Sequence, residues 1–159
     1  MKLLQVHDDV FVFRFNPGEK QALLSTLKNF PALPPSPHRL SKSTLLATAE
    51  NQRLLDESLA AQRAQNQKQV AALLLKPERL KRVANNWQFT VTRPEIEILL
   101  QVLNDVRMGS WAALGCPDLD REDGVTINEE TLPHVLRMEL AGHLEEFFVM
   151  AVSGEIPPA

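Results

Sequence analysis

The sequence predicts an α+β fold that is mostly α: a bundle of about four helices with a small antiparallel sheet. Three observations carry this prediction. Residues 3–15 alternate as a β-hairpin does, and residues 87–91 repeat the pattern as one further strand. The sequences Asn16–Glu19 and Thr92–Glu95 are capping boxes, which start helices. Stretches with apolar residues at helical spacing follow both boxes.

The N-terminal hairpin places Phe11, Phe13 and Phe15 on one face. A hairpin alone is only marginally stable in water, so helices are expected to cover this face. The first of them begins at Asn16–Glu19, where Pro17 suits the first helical position, and it continues to about residue 30.

The composition of the middle of the chain changes twice, first to a proline-rich stretch and then to a helical one. Residues 31–41 are rich in proline, which prevents a helix and predicts a stiff connector; a docking segment for a proline-binding module is the alternative. Residues 44–75 are mostly helical but polar between 62 and 69, as in a helix that is partly solvated or packs through its ends. A short turn is expected between Pro77 and the strand at 87–91.

Two apolar helices complete the predicted single domain, which spans residues 1–159. The helix after the second capping box has the broadest apolar stripe and is expected to end at Gly115. An Asp-Gly turn and a third capping box, Thr126–Glu129, lead into the last helix. Gly154 ends that helix, and residues 155–159 are expected to form a flexible tail.

Composition and charge limit the partners and the location that the chain can have. The net charge of −3 provides no global basic field, which argues against nucleic acid as a partner. The run 76–82 is locally basic and precedes Trp87, so a weak nucleic-acid site there is a minor alternative. The single cysteine, Cys116, suits a reducing compartment. No apolar stretch approaches the ~20 residues of a membrane span, and the N-terminal apolar run is too short for a secretory signal. The sequence therefore predicts a cytoplasmic protein with no membrane partner.

The acid-rich stretch 118–129 is similar to a calcium-binding loop but does not fit one. With Asp118 at the first ligand position, the position that needs glycine is Asp123, because Gly124 comes one residue late. Shifting the frame by one residue places Leu119 where a ligand belongs. No zinc spacing, phosphate-binding loop or nucleophile motif occurs elsewhere. We therefore expect no calcium, no other metal and no cofactor.

Arg107 is the most unusual residue of the apolar stripe, four residues from both Leu103 and Trp111. A buried arginine needs a carboxylate, and Asp105 points elsewhere on the helix. A structural ion pair with the last helix is one interpretation, and an anion or substrate site is the other. The expected partner is Glu139 or Glu146, and the candidate ligand-binding residues are Asn104, Asp105, Arg107, Glu139 and His143.

The run Leu103–Arg107, Leu-Asn-Asp-Val-Arg, resembles the Leu-Asn-Asp-Leu-Arg helix of an uncharacterised bacterial domain family. That family is best known from actinobacteria, where its gene often lies beside that of the Clp-protease adaptor. The order of elements is also similar. The match departs after Arg107, where the family continues with a Leu-Gly-Thr-Arg-type run and this chain has Gly109, Ser110 and Trp111. The resemblance implies a mostly helical domain of unknown activity and supplies no catalytic residues.

The leading hypothesis is a non-enzymatic protein-interaction or regulatory domain that binds a protein partner or itself as a homodimer. It rests on the missing catalytic motifs, together with the polar middle helix, the hairpin edge and the proline-rich segment. The alternative is a small-ligand binding protein or an enzyme that uses Arg107 and Asp105.

Overall fold

The structure, a computed structural model, describes residues 1–33, 46–118 and 124–159 of the chain. These residues form four helices and one four-stranded antiparallel sheet, so the predicted α+β, mostly α class is confirmed. The elements in chain order are β1 Lys2–His7, β2 Val10–Phe15, α1 Pro17–Leu27, α2 Leu46–Leu75, β3 Leu80–Val83, β4 Asn86–Thr92, α3 Arg93–Ala113 and α4 Leu132–Ser153.

The sheet is built from two hairpins, in the strand order β1-β2-β4-β3. The sequence predicted one strand beyond the N-terminal hairpin, and the structure has two, because β3 lies in the stretch expected to be a turn. β3 pairs with β4 from Leu80 opposite Phe89 to Val83 opposite Asn86. It is only four residues long and three of them are exposed, so it lacks the buried alternation that identifies a strand in a sequence.

The inner face of the sheet carries the predicted phenylalanines, which are fully buried. The ring centroid of Phe13 lies 5.5 Å from that of Phe147 and 5.3 Å from that of Phe148, both on α4. Tilted and edge-to-face contacts of this kind stabilise aromatic pairs beyond the area that they bury. The expectation that helices cover the hairpin is therefore confirmed.

Both predicted capping boxes at α1 and α3 are present. The Asn16 side chain accepts a hydrogen bond from the Glu19 amide, and the Glu19 carboxylate accepts one from the Asn16 amide, both at 2.8 Å. The same reciprocal pair joins Thr92 and Glu95 at the start of α3. At its other end α1 stops at Leu27, earlier than expected.

The predicted capping box at Thr126–Glu129 is wrong, because α4 begins only at Leu132. The Asn128 side chain instead accepts the amide hydrogens of Glu130 and Thr131, at 2.9 and 3.0 Å. Asparagine competes for local amides in this way and favours a turn over a helix. Pro133 then suits the first turn of α4, where an amide hydrogen is not needed.

Three further expectations concern the segments between and after the helices. Residues 31–33 of the proline-rich connector belong to the described residues, whereas its remainder and residues 119–123 of the acid-rich stretch lie outside them. In the tail, expected to be flexible, Ile156 packs against the core and the Ala159 amide donates a 2.8 Å hydrogen bond to the Leu3 carbonyl. Within the described ranges, none of the helices combines the length and the apolar composition that crossing a bilayer requires.

Candidate functional site

A groove of about 700 Å³ lies between α3 and α4. We name it the α3–α4 groove. Its α3 side is formed by Arg107, Met108 and Trp111, and its α4 side by Met138, Glu139, Gly142, His143, Glu145, Glu146 and Val149. Three of the five residues predicted from the sequence, Arg107, Glu139 and His143, therefore lie together in one site.

Arg107 lies at the edge of the helix pair, which corrects the expectation that it is a buried charge. Its side chain is 45% exposed, whereas Leu103 and Val106 on the neighbouring turn are fully buried. The Arg107 Nε atom lies 3.0 Å from Glu145 Oε2, and its Nη2 atom donates a 3.4 Å hydrogen bond to Asn104 Oδ1. Arg107 therefore joins α3 to α4 as predicted, but with a different acid.

The geometry of α4 explains why Glu145 is the partner and the predicted acids Glu139 and Glu146 are not. Glu145 follows Gly142 by three residues and Met138 by seven, which places all three on the side of α4 that meets α3. Glu139 and Glu146 lie further round the helix and are exposed at the rim of the groove.

Gly142 gives the groove its depth beside Arg107. A Cβ atom placed on Gly142 would lie 3.6 Å from Arg107 Cδ, which is an ordinary van der Waals distance. Alanine would therefore fit, but any longer side chain at this position would extend into the groove. The spacing Met138, Gly142, Glu145, Val149 is the sequence pattern that could have identified the α4 wall.

Burial raises the pKa of Glu145, and the positive charge of Arg107 opposes this shift without cancelling it. The Glu145 side chain is only 15% exposed, so its carboxylate loses most of its hydration. The ionised form of Glu145 is therefore disfavoured by its surroundings. The groove lining thus contains the Arg107–Glu145 ion pair together with the exposed acids Glu139 and Glu146.

Asp105, the other charged residue predicted for the site, does not line the groove. Its side chain is 8% exposed, and its Oδ1 atom accepts hydrogen bonds from the amides of Ala32 and Leu33, at 2.7 and 3.1 Å. Its Oδ2 atom lies 3.1 Å from Arg63 Nε on α2. Asp105 is thus a structural residue that fastens residues 32–33 and α2 to α3, and the structure separates it from Arg107.

The lining of the α3–α4 groove is mixed, with apolar and charged side chains side by side. Trp111 is held in place because its Nε1 atom donates a 3.0 Å hydrogen bond to the Pro117 carbonyl. Within the described part of the chain, histidine, cysteine and acidic side chains form no cluster of three that could hold a metal ion. The apolar part of the lining consists of methionine, tryptophan and valine, and charged side chains lie beside it.

Comparison of the chain with protein-family models, with curated proteins and with solved structures found no match. The resemblance of Leu103–Arg107 to the Leu-Asn-Asp-Leu-Arg family therefore stays a prediction. Within this motif the structure assigns separate positions to the polar residues: Asn104 contacts Arg107 but does not line the groove, and Asp105 lies against residues 32–33.

Proposed function

We propose that the chain is a non-enzymatic protein-interaction domain and that the α3–α4 groove binds its partner. The observation that carries the proposal is the composition of the groove. Tryptophan is enriched at the energetic centres of interfaces, and the flexible side chain of methionine adapts to different apolar surfaces. Trp111, Met108 and Val149 are all accessible, and Val149 is 49% exposed.

The charges at the groove select the partner. Arg107 is paired with Glu145, whereas Glu139 and Glu146 take part in none of the ion pairs among the described residues. The rim is therefore net negative. A groove between two helices accepts an amphipathic helix through apolar residues at helical spacing. The fitting occupant is a helix of a partner protein with an apolar face flanked by lysine or arginine.

A synthetic helical peptide of leucine and lysine at helical spacing tests this proposal. Trp111 lies in the groove and Trp87, the other tryptophan, lies on the sheet, so intrinsic fluorescence reports binding directly. We expect saturable binding, with a spectral change that the Trp111→Phe variant loses. With glutamate in place of lysine, the Trp111-dependent spectral change should need at least about tenfold more peptide, because like charges then meet at the rim.

Two matched variant pairs make the test specific. Glu139→Lys with Glu146→Lys should abolish peptide binding, whereas Glu50→Lys with Glu97→Lys changes the net charge equally at exposed positions outside the groove. Gly142→Leu should block the groove, whereas Gly142→Ala fits and should bind normally. Equal binding by all four variants would refute the groove as the docking site.

A small-ligand binding protein or enzyme is the second candidate, and one observation favours it. The groove volume lies within the roughly 300–1,000 Å³ typical of ligand pockets, and the Arg107 guanidinium lines it. If the chain is a small-ligand binding protein or enzyme, Arg107 would bind an anion and Asp105 would not contact the ligand. The Arg107→Ala variant should then lose a thermal shift caused by small anionic ligands. A helical-peptide affinity that Arg107→Ala leaves unchanged, with no such ligand found, favours the protein-interaction domain.

Self-association is a further part of the proposal, and it rests on α2. Leu55 and Leu59 are 39% and 43% exposed, although they continue the helix face on which Val70 and Leu73 are buried. We propose that these leucines pack against a second copy. Light scattering should then show a homodimer that the Leu55→Ser, Leu59→Ser double variant converts to a monomer. A wild-type monomer at high concentration would remove this proposal.

A cytoplasmic location completes the proposed function. Its support is the single cysteine, Cys116, which has a free and exposed thiol. A reducing compartment keeps such a thiol from forming mixed disulfides. Cell fractionation with a thiol-labelling reagent should recover the protein in the soluble cytosolic fraction with Cys116 reduced.

A further inference from the structure

The outer face of the sheet carries a row of positive side chains. Lys2 lies opposite Arg14, Arg14 opposite Gln88, and Gln88 opposite Lys81. Residues directly opposite each other in antiparallel strands project to the same face, and Phe13, the neighbour of Arg14, is buried on the other face. The three cations therefore form one line across all four strands, which is about 14 Å long at ordinary strand spacing.

This row has no negative charge of its own within the described strands. The four strands contain no Asp or Glu, although the whole chain has 20 acidic and 17 basic residues. Lys2, Arg14 and Lys81 are exposed, and none of them belongs to an ion pair among the described residues. A concentration of one sign of charge produces a local potential that the net charge of −3 conceals.

We propose that this surface, the basic sheet face of Lys2, Arg14, Gln88 and Lys81, binds an acidic segment of a partner protein. Charge complementarity supplies the attraction, and a row confined to about 14 Å matches a short segment better than a long polyanion. A long polyanion would also meet the acidic remainder of the chain. This interaction is independent of the α3–α4 groove, whose rim has the opposite charge.

The aromatic residues of the sheet argue against single-stranded nucleic acid as the occupant. Non-specific binding of a single strand depends on aromatic rings that stack with bases. Phe89 is fully buried on the inner face, and Trp87 shares that face because it lies opposite the buried Phe15. The ring of Trp87 is also covered by the Lys20 ammonium, 3.9 Å from its centroid. The outer face thus supplies cations without a stacking surface.

Fluorescence anisotropy with three labelled probes tests the proposal: a short polyglutamate peptide, a polylysine peptide of equal length, and an oligothymidylate. We expect polyglutamate to bind at low salt, to weaken as salt rises, and to bind more tightly than oligothymidylate. The triple variant Lys2→Gln, Arg14→Gln, Lys81→Gln should bind polyglutamate about tenfold more weakly or worse. Its circular dichroism should match that of the wild type, because all three side chains are exposed.

A matched control removes the same charge elsewhere. The triple variant Lys28→Gln, Arg53→Gln, Lys68→Gln changes three exposed positions outside the sheet, one directly after α1 and two on α2, and should bind polyglutamate as the wild type does. Equal weakening in both triple variants would overturn the proposal, since net charge alone would then explain binding. Tighter binding of oligothymidylate, or absent polyglutamate binding at low salt, would overturn it as well. Self-association that the first triple variant abolishes would assign the face to a second copy instead.

Discussion

Asp105 is the position where a single substitution tests the architecture most directly. The Asp105→Ala variant removes the acceptor of two amide hydrogens, at Ala32 and Leu33, and the carboxylate beside Arg63. A buried donor left without an acceptor costs about 1–3 kcal/mol, so the two half-buried amides together account for about 2–4 kcal/mol. Loss of the partly buried ion pair with Arg63 adds to this. We expect Asp105→Ala to lower the free energy of unfolding by about 3–5 kcal/mol.

Two further variants separate the hydrogen bonds from the charge. Asp105→Asn keeps an oxygen that can accept the amides of Ala32 and Leu33 but loses the negative charge beside Arg63. It should cost clearly less than the alanine variant, about 1–2 kcal/mol. Asn104→Ala, at the neighbouring exposed position, loses only the long 3.4 Å contact with Arg107 and should cost less than about 0.5 kcal/mol.

Urea unfolding followed by circular dichroism measures these differences. Thermal unfolding gives a second measure. For a domain of this size, each kcal/mol of unfolding free energy corresponds to roughly 2–4 °C in Tm, so the Tm of Asp105→Ala should be at least about 6 °C below that of the wild type. If Asp105→Ala lowers the free energy of unfolding by less than about 1 kcal/mol, the reasoning is refuted, because residues 32–33 are then not held through Asp105. A cost for Asp105→Asn equal to that of Asp105→Ala would assign the effect to the charge.

Three further predictions follow from the helices. Gly109→Ala should destabilise the fold by about 1–3 kcal/mol, because the added Cβ would lie 2.6 Å from the backbone of Ala32. Gly142→Ala should be neutral or should stabilise the fold by up to about 1 kcal/mol. Thermal unfolding of the two variants checks this difference. Thr92→Ala should cost about 1 kcal/mol in urea unfolding, through loss of the α3 cap. Burial raises the pKa of Glu145 against the charge of Arg107, so ionised Glu145 destabilises the folded state above that raised pKa. The wild type should therefore gain stability relative to Glu145→Gln as pH falls from neutrality toward the ordinary glutamate value of 4.5, and an unchanged difference between the two proteins would contradict this.

Local chemistry explains which elements could be predicted from the sequence. Asn16 and Thr92 start helices because each is followed three residues later by glutamate, and a capping box needs only those four residues. The same four-residue pattern failed at Thr126–Glu129. There the Asn128 side chain accepts hydrogen bonds from the amides of Glu130 and Thr131, and α4 begins only at Leu132, directly before Pro133. A local motif therefore predicts a helix start only where no stronger local acceptor competes.

The assignment of Arg107 and Asp105 required the tertiary structure. Both lie on α3 two residues apart, and the sequence favoured the arginine as the buried charge because apolar residues lie four positions either side of it. The structure buries Asp105 instead, because its carboxylate contacts residues 32–33 and Arg63. Even the nearer of these along the chain, Arg63, is more than 40 positions away. Helical spacing identifies the neighbours of a residue on its own helix, but it contains no information about which other segment meets that face.

The two proposed surfaces carry opposite charges, which the net charge of the chain does not reveal. An acidic rim at Glu139 and Glu146 and a basic row at Lys2, Arg14 and Lys81 nearly cancel in the sum of −3. If both surfaces bind as proposed, salt should weaken binding at each of them, so ionic strength alone cannot tell them apart. The variants can, because neutralising the sheet cations should leave the leucine-lysine peptide bound, and reversing the rim acids should leave polyglutamate bound. Loss of both ligands in either variant would mean that the chain has one electrostatic binding surface and not two.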